Sequence, residues 1–432
     1  MQYWSMLHVD QGMSHTLHTE SLMTRSLTRR ARRLLAAAML AAAAPMSSGQ
    51  SESDWSTVTE PVTAYLQARP FLQGASLAVF QADDLMHEQQ WGSYTADTVV
   101  PIASASKLLS AVAILSLVDD GFIDLDAPVS AYLPADFPPG TLKGSMTVRQ
   151  MFSHTAGLPS QSPYISDLTI TLAQCVALIG QNTPLLAQPG SVFSYGGVSM
   201  QVAGRVAEVA AGQPWATLFH ERVAAPLGLT STDYAGLGQT LNPRIGGGAR
   251  SSTNDLLRVL EMINNQGDFR GVRVLNEASV GEMLSDQTNG APTGFVPDSI
   301  GEYKGYGIGV WIELRDDDTG EPTEFSSPGG AGTTPWINPG LRVYGAFVID
   351  ANLSSIDPLI DEIREFARLA ASSCVLAGDA NGDGVVDFSD LSIVLGDFGQ
   401  TGAHLAGDLT GDGQVNFADL SVVLGDFGVN CE

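Results

Sequence analysis

Apolar and polar positions change period several times along this chain. Residues 58–69, VTEPVTAYLQAR, carry a helical spacing, and ASLAVFQ soon after alternates in the β-rich manner of a strand. A continuous apolar run predicts a helix from Ser104 to about residue 119. Helical periodicity returns at 171–181, 198–211, 252–265 and 276–285. YGIGVWIEL and LRVYGAFVID then read as strands, and DPLIDEIREFARLAAS as a closing helix. Strands at both ends with helices between predict an α+β chain: an antiparallel sheet whose last strands pair with its first, flanked by helices, plus a helical subdomain.

The two ends depart from this pattern. Within residues 1–50, Arg29, Arg30, Arg32 and Arg33 stand directly before an alanine and leucine run and then small residues, the layout of an export signal. The run is too short to span a bilayer. Cleavage is expected between Ala44 and Gln50, giving an exported protein: periplasmic, on the cell surface or extracellular. The predicted central domain occupies residues 52–372.

Residues 374–432 form a tandem repeat with a period of 29, from Asp379 to Asp408. Each repeat opens on a loop with oxygen side chains at positions 1, 3, 5, 9 and 12: Asp379, Asn381, Asp383, Asp387, Asp390, then Asp408, Thr410, Asp412, Asn416, Asp419. Val385 and Gln414 hold the seventh place, where a backbone carbonyl serves, and Gly384 and Gly413 the sixth, where the turn needs no Cβ. Ca²⁺ is the cofactor this spacing predicts. The segment has ten acidic groups and no Lys or Arg, so its carboxylates would repel one another without a cation. Each loop runs into one amphipathic helix, making a small all-α loop–helix calcium module. It resembles dockerin modules. Phe388–Ser389 and Phe417–Ala418 stand where dockerins usually carry the Ser-Thr pair that docks to cohesin, so the resemblance implies calcium and leaves a protein or cell-surface partner open. Cys374 and Cys431 bracket the module and are the natural disulfide in an oxidising compartment, whereas Cys175 reads as a small buried hydrophobe.

Composition narrows the function. A formal net charge of -26 repels phosphate backbones and anionic lipid, which argues against a nucleic-acid partner. No G-x-S-x-G elbow and no H-E-x-x-H spacing occurs, so an ordinary α/β-hydrolase and a catalytic zinc are both disfavoured.

The candidate chemistry sits at the start of the apolar helix. Lys107, one of three lysines in the chain, follows Ser104 by three positions, so both lie on one helical face. A serine hydroxyl needs a base, and an amine serves only where burial or nearby positive charge lowers its pKa. The helix start also favours the oxyanion that forms at an attacked carbonyl.

The surrounding sequence, TVVPIASASKLLSAVAILSLVDDGFIDLDAPVSAYLP and MTVRQMFSHTAGLPS, resembles the penicillin-binding-protein-like serine hydrolases: class C β-lactamases, DD-peptidases and family VIII esterases. PGSVFSYGGVSMQVAGRVAE, APLGLTST, GGGARSSTNDLLRVLEMINNQG and YGIGVWIE extend the likeness over nearly all of residues 55–370. The resemblance implies a β-lactamase/transpeptidase-like fold, with Ser104 as acylated nucleophile, Lys107 as base and Tyr195 as proton relay. Ser327, Pro328 and Gly329 take the three places of the Lys-Thr-Gly motif, expected on an edge strand, and the NH of Gly330 joins that of Ser104 as oxyanion hole. Two departures stand out. Gly197 replaces the asparagine of the Tyr-x-Asn motif, and Ser327 replaces the cation that helps bind a substrate carboxylate. These implied substrate-binding places, Gly197, Ser327 and Gly329, favour an esterase or amidase of relaxed specificity over a true lactamase. His154 reads as a hydrogen-bonded residue holding a turn beneath the site. The alternative is a catalytically degenerate binding or scaffold protein tethered by its calcium module.

Overall fold

The computed structural model describes residues 54–373, 376–381, 383–402, 405–410 and 413–430. The predicted export leader, both cysteines of the expected Cys374–Cys431 disulfide, and Asp412 lie outside the described residues.

Helix α1 (Ser56–Gln67) leads into a hairpin of β1 (Gly74–Gln81) and β2 (Asp84–Gly92). The apolar run becomes α2 (Ser106–Asp119), preceded by a single 3-10 turn over Ala103–Ala105. Among the helices that follow are α3 (Leu172–Asn182), α4 (Val198–Ala211) and α5 (Thr253–Asn264). Four strands follow, β3 (Trp311–Arg315), β4 (Pro322–Ser326), β5 (Thr334–Asn338) and β6 (Val343–Ile349), and α6 (Leu353–Ser373) closes the domain.

The six strands form one antiparallel sheet in the order β2–β1–β6–β5–β4–β3. The first long strand pairs with the last, Ala75 opposite Ile349 through Gln81 opposite Val343. Both are buried on both faces, because alternate residues feed two cores. Leu77, Val79, Phe347 and Ile349 pack with Val62 of α1 and Ile356, Ile360 and Ile363 of α6. Ala78, Ala346 and Val348 face the larger core of the helical side. On that side α2 is mostly apolar and is buried from Ser106 to Leu117, as a helix with no solvent-facing polar stripe must be. Each fully buried Leu or Ile on it contributes roughly 1.5–3 kcal/mol against an exposed one. Arg364 and Arg368 of α6 ion-pair with Glu313 and Glu324, tying the closing helix to β3 and β4.

The antiparallel sheet and the mixed α/β organisation agree with expectation, and two details differ. Helix α2 begins at Ser106, leaving Ser104 in the tighter turn ahead of it, where Ala103 adopts φ 46. Ser327–Gly329 do not lie on an edge strand. They lie in the turn between β4 and β5, because residues 311–315 add a further strand outside β4. In the C-terminal region, α7 (Phe388–Asp397) and α8 (Phe417–Asp426) pack around Val386, Val394, Val415 and Val423. Cys175 on α3 is free and fully buried, as expected, and burial pushes its thiol up to about 11.

Candidate active site

Ser106, Lys107 and Ser110 interrupt the apolar surface of α2 near its start, and all three bond to one loop, residues 244–249. Lys107 Nζ donates to the carbonyl of Gly246 at 2.6 Å, Ser110 Oγ to that of Ile245 at 2.6 Å, and Ser106 Oγ accepts the NH of Ala249 at 2.9 Å. Their spacing of three and four residues puts them on one face of the helix. That stitching fixes the lysine. Its amine also donates to Ser104 Oγ at 3.1 Å, and the side chain is 3% exposed.

Burial, and secondly the positive charge of Arg244, lower the Lys107 amine from 10.5 to about 7. A buried ammonium loses most of its hydration, so the neutral form gains. Near neutral pH a large share of this amine carries no proton and can accept one from Ser104.

Tyr195 covers the pair. The Lys107 amine lies 4.6 Å from its ring centroid, and the ring packs against Trp311 at 4.7 Å and His154 at 4.6 Å, with Phe193 and Tyr306 completing an aromatic cluster. Burial pushes its hydroxyl up to about 12, opposed by hydrogen bonding to the Ser104 and Trp311 side chains. Lys107 and Tyr195 thus touch the same serine with affinities for a proton set far apart, the arrangement acid–base work requires.

The backbone on the other side of Ser104 is held by contacts that exclude a Cβ. A Cβ on Gly329 would come within 2.2 Å of the Ile102 carbonyl oxygen, and one on Gly309, at φ 81, within 2.6 Å of the Lys107 carbonyl oxygen. Ser327 is buried and its hydroxyl donates to the Gly309 carbonyl at 3.2 Å, which locks the β4–β5 turn against the helix start. Gly330 is exposed with open space beside it, and its NH has no hydrogen-bond partner among the described residues. Gly197 caps the start of α4, its NH donating to the Ser160 carbonyl at 3.0 Å. Gly329→Ala is expected to lower kcat/KM by at least about tenfold, since the strain of overpacking must move either this turn or the Ser104 turn. Steady-state kinetics beside a melting curve check it.

Five expected positions therefore converge: Ser104, Lys107, Tyr195, Ser327 and Gly329. Ser327 spends its hydroxyl on the backbone. His154 sits beneath the site at φ 58 and holds its turn by accepting the Ser194 NH at its carbonyl; the hydrogen-bonded imidazole expected there is not found, for both ring nitrogens lack a protein partner among the described residues. Burial, then the Lys107 charge, keep that ring well below the usual imidazole range, hence neutral. The Gly246 carbonyl, Arg244 and Trp311 were not legible as site residues. Gly246 acts through its backbone and is remote in sequence from Lys107, and only the GGGARSS match pointed to its loop.

The family model described as Beta-lactamase matches residues 62–364. This chain belongs to the beta-lactamase family. The match falls inside the predicted central domain, and the relatives place the chain among the β-lactamase/transpeptidase-like serine hydrolases. Esterase EstB of Burkholderia gladioli is 27% identical over 300 residues, covering 56% of this chain and 72% of that protein. Penicillin-binding protein 4 of Amycolatopsis lactamdurans is 29% identical over 38% of this chain, which spans 45% of that relative's length. Among solved structures, a candidate beta-lactamase of Bacteroides dorei is 32% identical, with a TM-score of 0.66, covering 73% of this chain and 99% of that one. EstCE1, a hydrolase with promiscuous acyltransferase activity, shares the beta-lactamase fold at 21% identity and a TM-score of 0.59.

The C-terminal loops repeat one hydrogen-bond pattern. Asp379 accepts the NH of Gly384 at 2.7 Å as Asp408 accepts that of Gly413 at 2.8 Å. Buried Asp390 accepts the NH groups of Asn381 and Asp387, as buried Asp419 accepts those of Thr410 and Asn416. Among the described residues no three acidic, His or Cys side chains converge as cation ligands. The donor chemistry suits a hard cation, and these carboxylates are turned onto their own loop backbone.

Proposed function

We propose that the protein is an exported serine hydrolase that cleaves an ester or amide through an acyl-enzyme on Ser104. The observation that carries this reading is the 3.1 Å contact of the buried Lys107 amine with Ser104 Oγ. Neutral Lys107 takes the hydroxyl proton as Oγ bonds to the substrate carbonyl carbon. The NH groups of Ser104 and Gly330 receive the oxyanion. Tyr195, protonated at working pH, passes a proton to the leaving group as the carbonyl–leaving-group bond breaks. Water then attacks the acyl-serine, giving up a proton through the same groups, and the acid leaves. The similarity to an esterase and to penicillin-binding proteins supports acyl transfer as the reaction class. The absent amide at Gly197 and absent cation at Ser327 favour relaxed ester or amide substrates, with β-lactams as one amide to test.

Incubation with a short-chain chromogenic ester tests the reading: turnover that vanishes in Ser104→Ala supports it, and no turnover or adduct with any ester, amide or lactam favours a degenerate scaffold. Tyr195→Phe keeps the packed ring and removes the relay, so kcat is expected to fall about 10²-fold with little change in Tm.

The C-terminal module is read as a calcium-dependent tether. Asp379, Asn381, Asp383, Asp387 and Asp390, with the Val385 carbonyl, would hold one Ca²⁺. Asp408, Thr410, Asp412, Asn416 and Asp419, with the Gln414 carbonyl, would hold the second. Bound Ca²⁺ would neutralise the loop carboxylates and so fix the two helices. Calorimetric titration of the chelator-treated full chain is expected to show two Ca²⁺ bound, and no heat would contradict it. An intramodular Cys374–Cys431 disulfide is proposed with it.

A further inference from the structure

The residue before the acceptor of the Lys107 amine is gripped at its NH, its carbonyl and its side chain. Ile245 is fully buried. Its NH donates to Gln201 Oε1 of α4 at 3.1 Å, and its carbonyl accepts from Ser110 Oγ of α2 at 2.6 Å. Gln201, itself 1% exposed, also donates from Nε2 to Asn242 Oδ1 at 2.8 Å and to the Pro243 carbonyl at 2.9 Å. The Ile245 side chain fills the notch left by Gly204 on α4, where a Cβ would come within 2.4 Å of its Cγ1. One residue on, the Gly246 carbonyl meets Lys107, and a Cβ on Gly246 would lie 3.4 Å from Nζ.

Ser110 does not act alone. It bonds to the hydroxyl of Tyr234, which also lies 3.2 Å from the Ser106 carbonyl. A serine hydroxyl carries one proton, and Ser110 gives its own to the Ile245 carbonyl, so Tyr234 is the donor between the two hydroxyls. Burial pushes the Tyr234 hydroxyl up, which keeps that proton in place. Trp215 and Phe219 pack edge-on against the Tyr234 ring at 5.3 and 5.1 Å, and two residues on the Gly236 NH donates to the Gly248 carbonyl at 2.9 Å. A buried serine in a helix can satisfy itself within its own turn, as Ser116 of α2 does on the Ala113 carbonyl at 2.8 Å. Ser110 instead reaches off the helix to the loop that holds the base.

We propose that Ser110, Tyr234 and Gln201 are positioning residues of the reaction: together they clamp Ile245 so that the Gly246 carbonyl stays on the Lys107 amine and water stays off it. The inference rests on the acyl-enzyme reading above and adds the residues that keep its base neutral. The ionisable groups acting on that amine are Arg244 by its charge, Tyr195 with its ring centroid at 4.6 Å, and His154, and every variant below leaves all three in place. Members of a buried hydrogen-bond network support one another, so losing one slackens the rest. A slack clamp lets water replace the Gly246 carbonyl and hydrate the amine, which favours the ammonium.

With only three lysines in the chain, the amine can be read directly. The full chain is labelled with lysine carrying carbon-13 at the ε-carbon, and the NMR signal that disappears in Lys107→Met is followed against pH. Wild type is expected to titrate near 7. Tyr234→Phe keeps the packed ring and removes the donor, and its midpoint is expected about one pH unit higher. Ser110→Ala and Gln201→Met should move it in the same direction, and Tyr234→Phe decides if either fails to fold. Ser116→Ala is the control: it deletes another buried hydroxyl of α2 and is expected to keep the wild-type midpoint. A Tyr234→Phe midpoint that stays at the wild-type value or falls overturns the proposal, whatever happens to Tm, as does a wild-type midpoint at the ordinary 10.5. On a short-chain ester, the acidic limb of kcat/KM is expected to move with the NMR midpoint. Absence of turnover in wild type would sink the acyl-enzyme reading alone, because the midpoints still show whether the clamp keeps water from the amine.

Discussion

Lys107→Met is expected to abolish ester hydrolysis and, at pH 6, to make the protein more stable than wild type. Both effects come from one buried amine. Moving it from 10.5 to about 7 corresponds to about 5 kcal/mol that the folded state gives up to hold the ammonium out of water. The native state binds fewer protons than the unfolded state between these values, so wild-type stability rises with pH from about 7 towards 10.5. Below pH 7 the whole penalty is present. Methionine fills similar volume with no charge, while the Gly246 carbonyl loses its donor, an offset of roughly 1–3 kcal/mol. A net gain of about 2–4 kcal/mol at pH 6 is the expected outcome, shrinking as pH rises. Melting curves of the two proteins from pH 6 to 9 check it. Equal stability across that range would mean that the amine is hydrated.

The kinetic half has its own pH signature. With Lys107 as base, kcat/KM is lost as pH falls through about 7 and levels off above it. In Lys107→Met the remaining rate should be at least about 10³-fold lower, with no such limb. A wild-type limb near 4 to 5 would assign the base to a carboxylate instead.

Much of the fold was written in period. The β-rich ASLAVFQ and LRVYGAFVID became adjacent central strands because both are apolar on both faces. The polar strand Asp84–Gly92 carried no alternation, since as the sheet's edge it is largely exposed and is recruited by its hairpin with β1. YGIGVWIEL is a strand only from Trp311, because Tyr306 and the glycines after it are spent on packing against the site and α2. In the site, the Ser104–Lys107 spacing announced a shared face. What it could not announce was the depth of Lys107, which depends on a loop more than a hundred residues away. That is a property of tertiary packing, and single-residue signals do not encode it.

Ser104→Ala removes the atom on which everything else acts. Turnover is expected to fall by at least roughly 10³-fold, while Tm holds or rises, because alanine suits the turn and leaves the Lys107–Gly246 bond in place. Unaltered turnover in this variant would move the nucleophile elsewhere. The most direct measurement is peptide mass spectrometry of the full chain quenched during hydrolysis of a slow ester. The account predicts one acyl mass on the peptide containing Ser104, absent from the Ser104→Ala protein and from Lys107→Met. An acyl group on any other side chain, or hydrolysis with Ser104 never modified, would contradict it.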